Sequence, residues 1–292
     1  MVDLHCHTTA SDGQYTPTEL IKKAADHNIK LMAITDHDTI NGLEEAKNAG
    51  QQYGVKIIPG IEINITAPRG EFHLLGLGIS EISPSMKELL DNVIKTRKIR
   101  NKEMVSRMHY AGVDITYEEM IKRFPHTMIG RPHFAQILVE KEIVKTRQQA
   151  FDKYLGKGRP WYIERMGTNL DQAIIAIRES KGLPVIAHPM SLYLSFGKLP
   201  EMLQKYYEQG VCGMEAFHPG ARVSECFRLE EIGRKIGFFI TAGSDFHGEK
   251  IRPDRKLGHT TGQRKIEDKF WTEELYPNLV KENPSFKDYV ID

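Results

Sequence analysis

The chain has 292 residues, 40% hydrophobic and 27% charged, with 40 basic against 39 acidic residues and 12 histidines. That is the composition of a globular protein long enough for one large α/β domain, or one domain carrying an insert, and its near-neutral total excludes bulk affinity for long nucleic acid. No run of about 18 apolar residues occurs, which excludes a membrane-spanning helix.

The start Met-Val-Asp-Leu-His has no basic segment leading into an apolar stretch, so no signal peptide is expected. Three sparse cysteines, Cys6, Cys212 and Cys226, fit no disulfide scaffold, and the expected location is the reducing cytoplasm. Along the chain, short apolar runs recur and many close on a polar cluster. Val2–His7 is the first. Thr16-Pro17-Thr18-Glu19 then reads as a helix start, a Thr cap followed by Pro at the first helical position. Leu31-Met-Ala-Ile-Thr leads into Asp36-His37-Asp38, and Leu43–Tyr53 has helical spacing. Val55–Ile61 closes on Glu62, and Phe72-His73-Leu-Leu-Gly-Leu is the fourth run. Later, Leu170–Ser180, Leu199–Gln209 and Cys226–Lys235 read as helices. Between them, Leu183-Pro-Val-Ile-Ala closes on His188-Pro189, Val211-Cys-Gly-Met on Glu215-Ala-Phe-His218, and Gly237–Ser244 on Asp245-Phe-His247. Runs of this kind are expected to be buried parallel strands. Alternating with helices, they predict an α/β barrel whose strand ends gather around one polar bowl.

Residues 82–168 break the rhythm and read as helices: Met86–Ala111, Tyr117–Arg123, Pro132–Glu140 and Gln148–Tyr154. The expected organisation is a barrel of residues 1–81 and 169–292 with a helical insert, 82–168, serving as a substrate lid. The insert holds 17 basic and 10 acidic residues, the remainder 23 and 29. Neutrality is therefore a cancellation between a basic insert and an acidic barrel, an arrangement that draws a small or single-stranded polyanion. The aromatic residues of 263–292 predict packing against the barrel.

In His5-Cys6-His7 the two imidazoles are two apart, so a strand presents both to one ion while Cys6 points away. Asp12, in a Ser-Asp-Gly turn, His37, Glu62, His73, His188, Asp245 and His247 complete a set of nine at or near the ends of apolar runs. Imidazole with carboxylate and no thiolate suits Zn, Mn or Fe. Nine donors exceed one ion, so two or three divalent ions are expected, and such clusters hydrolyse phosphate esters.

Asp3-Leu-His5-Cys-His7, Ser11-Asp12-Gly13, Ile34-Thr-Asp36-His37-Asp38, Gly60-Ile-Glu62, His73, Ala187-His188-Pro189 and Gly243-Ser-Asp245-Phe-His247 together resemble the polymerase and histidinol phosphatase (PHP) family, in the family's order. The resemblance implies a distorted seven-stranded (β/α) barrel with up to three metal ions. It places His5, His7 and Asp245 on the first ion. Glu62 bridges to a second held by His73 and His188, and Asp12, His37 and His247 hold a third. Asp12 stands where some relatives carry His. The insert, with Ile129-Gly-Arg131-Pro132-His133 and Tyr154-Leu-Gly-Lys157-Gly-Arg159-Pro160, resembles the branch acting on 3′,5′-bisphosphonucleotides, some members of which also trim RNA from its 5′ end. On that resemblance Arg131, His133, Lys157 and Arg159 bind substrate. His218, not needed as a ligand in this scheme, is expected either near the reacting phosphate as proton donor or oxyanion contact or as a buried structural histidine; His218 and Asp245 are the candidate catalytic residues, and Glu215 is a candidate partner of a ligand. His27, His109, His126 and His259 read as surface or packing residues. The expected partner is a small nucleotide phosphate ester or short single-stranded RNA, with no membrane and no obligate protein partner. The rival readings are a histidinol-phosphate phosphatase of the same family and a non-catalytic metal- or nucleic-acid-binding module.

Overall fold

A computed structural model describes residues 1–67, 69–164 and 167–291. In chain order the elements are β1 (Val2–Asp3), α1 (Pro17–Asp26), β2 (Leu31–Ile34), α2 (Leu43–Tyr53), β3 (Lys56–Ile65), β4 (Phe72–Leu77), α3 (Pro84–Tyr110), α4 (Tyr117–Arg123), α5 (Arg131–Glu140) and α6 (Arg147–Ala150). They continue as α7 (Leu170–Glu179), β5 (Leu183–Ile186), α8 (Leu199–Glu208), β6 (Gly213–Phe217), α9 (Val223–Ile236), β7 (Phe239–Ala242) and α10 (Tyr276–Glu282). The chain divides into two compact units, one of residues 1–89 and 167–292 and one of residues 90–166.

In the first unit the seven strands form one sheet in the order β1 to β7. The ends of that sheet approach each other: His7 N donates to Phe246 O at 3.0 Å and Asp245 N to His5 O at 2.9 Å, just beyond β1 and β7. The result is a nearly closed barrel with helices around it. Its strands are buried along their length, and Leu20, Ile21, Met32, Ile34 and Phe246 anchor a core between helices and sheet.

The expectation of parallel strands fails at one place. β4 runs antiparallel to both β3 and β5, while the other neighbours are parallel. A strand buried on both faces reads as the same apolar run in either direction, so periodicity carries no sign of the reversal. The reversal has a consequence for the bowl. The start of β4, not its end, lies beside the ends of β3 and β5, and His73 is the second residue of β4.

Helix α1 begins as its sequence predicts. Thr16 Oγ1 accepts from Glu19 N at 3.2 Å, Glu19 Oε2 accepts from Thr16 N at 2.9 Å, and Pro17 fills the first position, where no N–H is needed. The C-terminal segment covers β6 and β7. Phe270 lies 5.1 Å from Phe217 between ring centroids, Glu274 accepts from Ile240 N at 3.0 Å, and Trp271 is fully buried. The second unit has its own core of Met104, Met108, Phe134, Leu138, Leu155 and Trp161. No helix among the described residues is long and apolar enough to cross a membrane.

Candidate metal centre and active site

Seven of the nine predicted donors reach the bowl from residues at or just beyond strand ends, Glu62 from within β3, and Asp12 from the loop that follows β1. Glu62, with no exposed surface, is at the centre. Its Oε1 lies 2.9 Å from both His73 Nδ1 and His188 Nε2. Its Oε2 lies 2.8 Å from His37 Nδ1, 3.3 Å from His7 Nε2 and 3.4 Å from His5 Nε2. Donor atoms within 4.8 Å of one another fall into four overlapping groups: His5, His7 and Asp245; His5, Glu62 and His188; His37, Glu62 and His73; and His7, Asp12, His37 and His247. His73 and His188 are also mutual neighbours, at 3.3 Å. All nine residues are thus brought together, with His5, His7, His37 and Glu62 each shared between two groups.

Tautomers fit this donor set to cations. His5 Nδ1–H donates to Glu215 Oε1 at 3.0 Å and His247 Nδ1–H to Asp245 O at 2.9 Å. Ser191 Oγ donates to Glu71 O at 2.8 Å, so it accepts from His188 Nδ1–H at 2.9 Å. In each ring the outer nitrogen is committed to a protein acceptor, leaving an Nε2 lone pair aimed inward, the orientation of a ligating imidazole. Several inward atoms lack a good partner in the protein. His5 Nε2 and His7 Nε2 face each other at 3.1 Å, and Glu62 Oε2, His37 Nδ1 and Asp12 Oδ1 are buried without hydrogen-bond geometry. Unmet buried groups of this kind are costly, and divalent cations satisfy them.

Charge follows the same logic. Burial pushes the Glu62 carboxyl up, but His37, His73 and His5 outweigh it and hold the group well below the usual carboxylate range. Burial likewise acts on Asp245, and Arg252 and His247 override it. His7 is raised to about 9, because Asp245 and Glu62 outweigh the burial that favours its neutral ring. His37, where burial wins, is pushed down to about 4.

Carboxylates that do not point into the bowl shape its walls. Asp36 accepts from Thr8 N, Thr8 Oγ1 and Ser11 Oγ at 2.8, 2.7 and 2.6 Å, which fixes the turn that presents Asp12. Glu215 also accepts from His188 N at 2.9 Å. It lies at a register shift between β6 and β7, and such bulges re-aim side chains. Gly243 leaves room for this contact, since a Cβ there would stand 2.3 Å from His5 Cβ and 2.4 Å from Glu215 Oε1. Asp245 and His188 hold left-handed backbones, φ 51° and 27°, uncommon for residues with side chains and frequent at functional sites.

His218 lies against the cluster. Gly220 N–H donates to its Nδ1 at 2.9 Å, so Nε2 carries the proton and donates to Asp245 Oδ2 at 3.2 Å. Burial pushes His218 down to about 4, which keeps it neutral at pH 7. Arg252 was not singled out in the sequence; its Nη1 donates to Asp245 Oδ2 at 2.7 Å. Cys6 turns away into the core, as its strand position predicts.

The remaining predicted substrate residues lie in the second unit. His133 Nδ1 accepts from Gly130 N at 2.9 Å and so caps α5. The Arg131 guanidinium lies 5.3 Å from the Tyr162 ring centroid. Lys157 is exposed, 3.8 Å from Glu164, and Arg159 is exposed.

A PHP domain model matches residues 3–157. The chain belongs to the PHP family. It is 30% identical over 273 residues to a 3′,5′-nucleoside bisphosphate phosphatase of Chromobacterium violaceum, covering 93% of this chain and 95% of that one. A 5′-3′ exoribonuclease of Haemophilus influenzae is 31% identical over 245 residues, 84% of this chain and 89% of that one. Among solved structures, one from Bifidobacterium adolescentis described as a metal-dependent phosphoesterase superposes with a TM-score of 0.83 at 30% identity, covering 94% of this chain and 95% of that one. This PHP protein is a metal-dependent phosphoesterase, which sets aside the non-catalytic rival.

Proposed function

We propose that this PHP protein releases the 3′-phosphate of a 3′,5′-bisphosphonucleotide and accepts short 5′-phosphorylated RNA as a second substrate. The observation that carries the phosphoesterase half is the ring of imidazole nitrogens, from His5, His7, His37, His73 and His188, around a buried, ionised Glu62. His5, His7 and Asp245 would hold one ion and Asp12, His37 and His247, with His7 alongside, another; Glu62, His73 and His188, mutual neighbours within 3.3 Å, would hold a further one. Mn, Zn or Fe bound there supplies Lewis acidity and lowers the pKa of water to give a nucleophile at neutral pH.

The chain's own residues do the rest. Glu215 and Ser191 hold His5 and His188 in the ligating tautomer. His218 is a neutral hydrogen-bond donor, because its Nδ1 accepts from Gly220, and its Nε2–H points at the cluster, where it donates to Asp245 Oδ2. A neutral imidazole is too weak an acid to protonate a leaving alkoxide, so its role is to donate to a phosphoryl or leaving oxygen, with the proton coming from water. The second phosphate is the task of the basic helical unit, through Arg131, His133, Lys157 and Arg159. The supports for the nucleotide substrate are the excess of basic over acidic residues there and the two named relatives.

The test is phosphate release from adenosine 3′,5′-bisphosphate, histidinol phosphate and a 5′-phosphorylated RNA oligomer, with protein loaded with Mn or Zn. The bisphosphonucleotide is expected to turn over fastest, and Arg131→Ala to raise KM for it. Preference for histidinol phosphate would overturn the nucleotide assignment.

A further inference from the structure

The loop after β7 carries two arginines beside the cluster. One buried carboxylate pins both its ends. Asp3 accepts from Ser244 N at 3.0 Å and Ser244 Oγ at 2.6 Å before the loop, and from Gly258 N at 2.7 Å after it. Within it, Arg252 N donates to Gly248 O at 2.8 Å and Arg255 N to Arg252 O at 3.1 Å. Both side chains therefore leave a braced backbone rather than a free tip.

Arg252 shares Asp245 with the metal donors. The carboxylate turns Oδ1 toward His5 and His7 Nε2, at 3.6 and 3.3 Å, and Oδ2 toward Arg252 at 2.7 Å. The guanidinium is thus separated by one carboxylate from the point where His5 and His7 converge, and its side chain is 43% exposed.

Arg255 is in the opposite situation. Its side chain is only 9% exposed, and its Nε and Nη1 are buried without a hydrogen-bond partner. Asp254 Oδ2 lies 3.3 Å from Nε but outside hydrogen-bond geometry. Two of its donors are thus unmet although Asp254 is close by, and a further anion would satisfy them. A Cβ on Gly220 would stand 2.8 Å from His218 Nδ1 and 3.5 Å from Arg255 Nη2, so the ring and the guanidinium border the same glycine.

We propose that Arg252 and Arg255 form a phosphoryl clamp on the barrel, gripping the oxygens of the reacting phosphate at the Asp245–His218 edge of the cluster. The clamp rests on the reading of this site as a phosphoesterase centre and adds the residues that hold the group being cut. Position selects the reacting phosphate over the second one: a group within reach of the ions is within reach of Arg252, which already touches their shared ligand. A planar guanidinium meets two phosphoryl oxygens at once, a geometry lysine lacks.

The experiment compares full-length wild type, Arg252→Ala, Arg252→Lys and Arg255→Lys; the lysine at 255 keeps the buried stem and charge where alanine would endanger the fold. Binding of inorganic phosphate is measured by calorimetry on metal-stripped and on Mn-loaded protein. KM and kcat are measured on p-nitrophenyl phosphate and on adenosine 3′,5′-bisphosphate, with bound metal quantified in each variant. The expected result is phosphate Kd and KM raised about tenfold or more in Arg252→Ala for both substrates, with partial recovery in Arg252→Lys and metal content unchanged. Arg255→Lys is expected to weaken phosphate binding in the same direction. Unchanged phosphate affinity in Arg252→Ala and Arg255→Lys would overturn the clamp. So would an effect confined to the bisphosphate, which places the arginines on the second phosphate, or one that merely follows lost metal, which makes Arg252 a positioning residue for Asp245. If wild type binds phosphate through these arginines yet ignores the bisphosphonucleotide, the clamp stands and only the nucleotide reading falls.

Discussion

Glu215→Gln changes one atom and is expected to cost the site its metal. The two Glu215 oxygens have separate tasks: Oε1 accepts from His5 Nδ1–H at 3.0 Å and Oε2 from His188 N–H at 2.9 Å. Glutamine keeps one acceptor and replaces the other with a donor. If the amide nitrogen faces His5, that ring gives up its Nδ1 proton and carries one on Nε2, where the metal must bind. If it faces His188, a donor opposes the backbone N–H of a residue already at φ 27°. Either way a charge-assisted bond is lost, worth about 1.5–3 kcal/mol, which corresponds to roughly 10- to 100-fold in affinity. That range matches the usual effect of removing a histidine's outer partner. Equilibrium dialysis against chelator-buffered Mn or Zn, followed by elemental analysis, reads it directly, and thermal melting of the metal-stripped variant checks the fold. Wild-type metal occupancy at limiting free metal would refute the claim that Glu215 sets the ligating tautomer.

Proton competition gives a second expectation. His7 titrates at about 9 in the metal-free fold against 6.5 when free, so it stabilises that fold fully below pH 6.5 and loses this as pH rises through 9. Metal affinity runs the other way, rising with pH until about 9 as the competing proton leaves, and a flat affinity between pH 7 and 9 would contradict it. Asp36→Ala leaves Thr8 N buried without its acceptor, a destabilisation of about 1–3 kcal/mol in urea unfolding, and it frees the Asp12 turn, so metal stoichiometry should also fall. Trp271→Ala empties a fully buried indole site and loses the Nε1–H bond to Tyr289 O at 3.0 Å; about 3–5 kcal/mol is expected by denaturation, with metal content in the surviving folded protein unaltered.

Where a side chain's task is local, its residue type and spacing are enough to read it. His5-Cys6-His7 needs only strand alternation, and α3 needs only the absence of strand-like apolar runs. The expected helix from Met86 to Ala111 is observed over Pro84–Tyr110, begun by Pro84 and by Ser83 Oγ accepting from Met86 N at 3.1 Å. The direction of β4 was hidden, because a strand buried on both faces has no polar side to mark it. A trace remained in the position of His73, one residue into its run rather than after it. The state of His218 was out of reach for a different reason. Its neutrality depends on the backbone N–H of Gly220 and on burial, neither of which is a property of residue type. Arg252 and Arg255 occupy a loop without apolar pattern, where only the fold shows that Asp3 pins the loop and that Arg252 meets Asp245.

A layer of buried carboxylates separates this centre from an ordinary hydrophobic barrel end. Asp3, Asp36 and Glu215 are each 1% exposed or less, and each accepts from at least two donors outside its own strand. Asp3 ties the strand β1 to the loop after β7, Asp36 ties β2 to the turn holding Asp12, and Glu215 ties β6 to both β1 and the end of β5. Every tie crosses between loops that the barrel alone would leave independent. Held in place this way, the inward nitrogens and carboxylate oxygens keep their places even where they repel, as His5 and His7 do at 3.1 Å. A site strained toward its cations before they arrive spends no reorganisation on binding them, the condition under which electrostatic stabilisation of a phosphoryl group is strongest. It follows that substitutions in this carboxylate layer, although no member need touch substrate, should lower metal affinity and turnover together, whereas substitutions of Arg252 should separate the two.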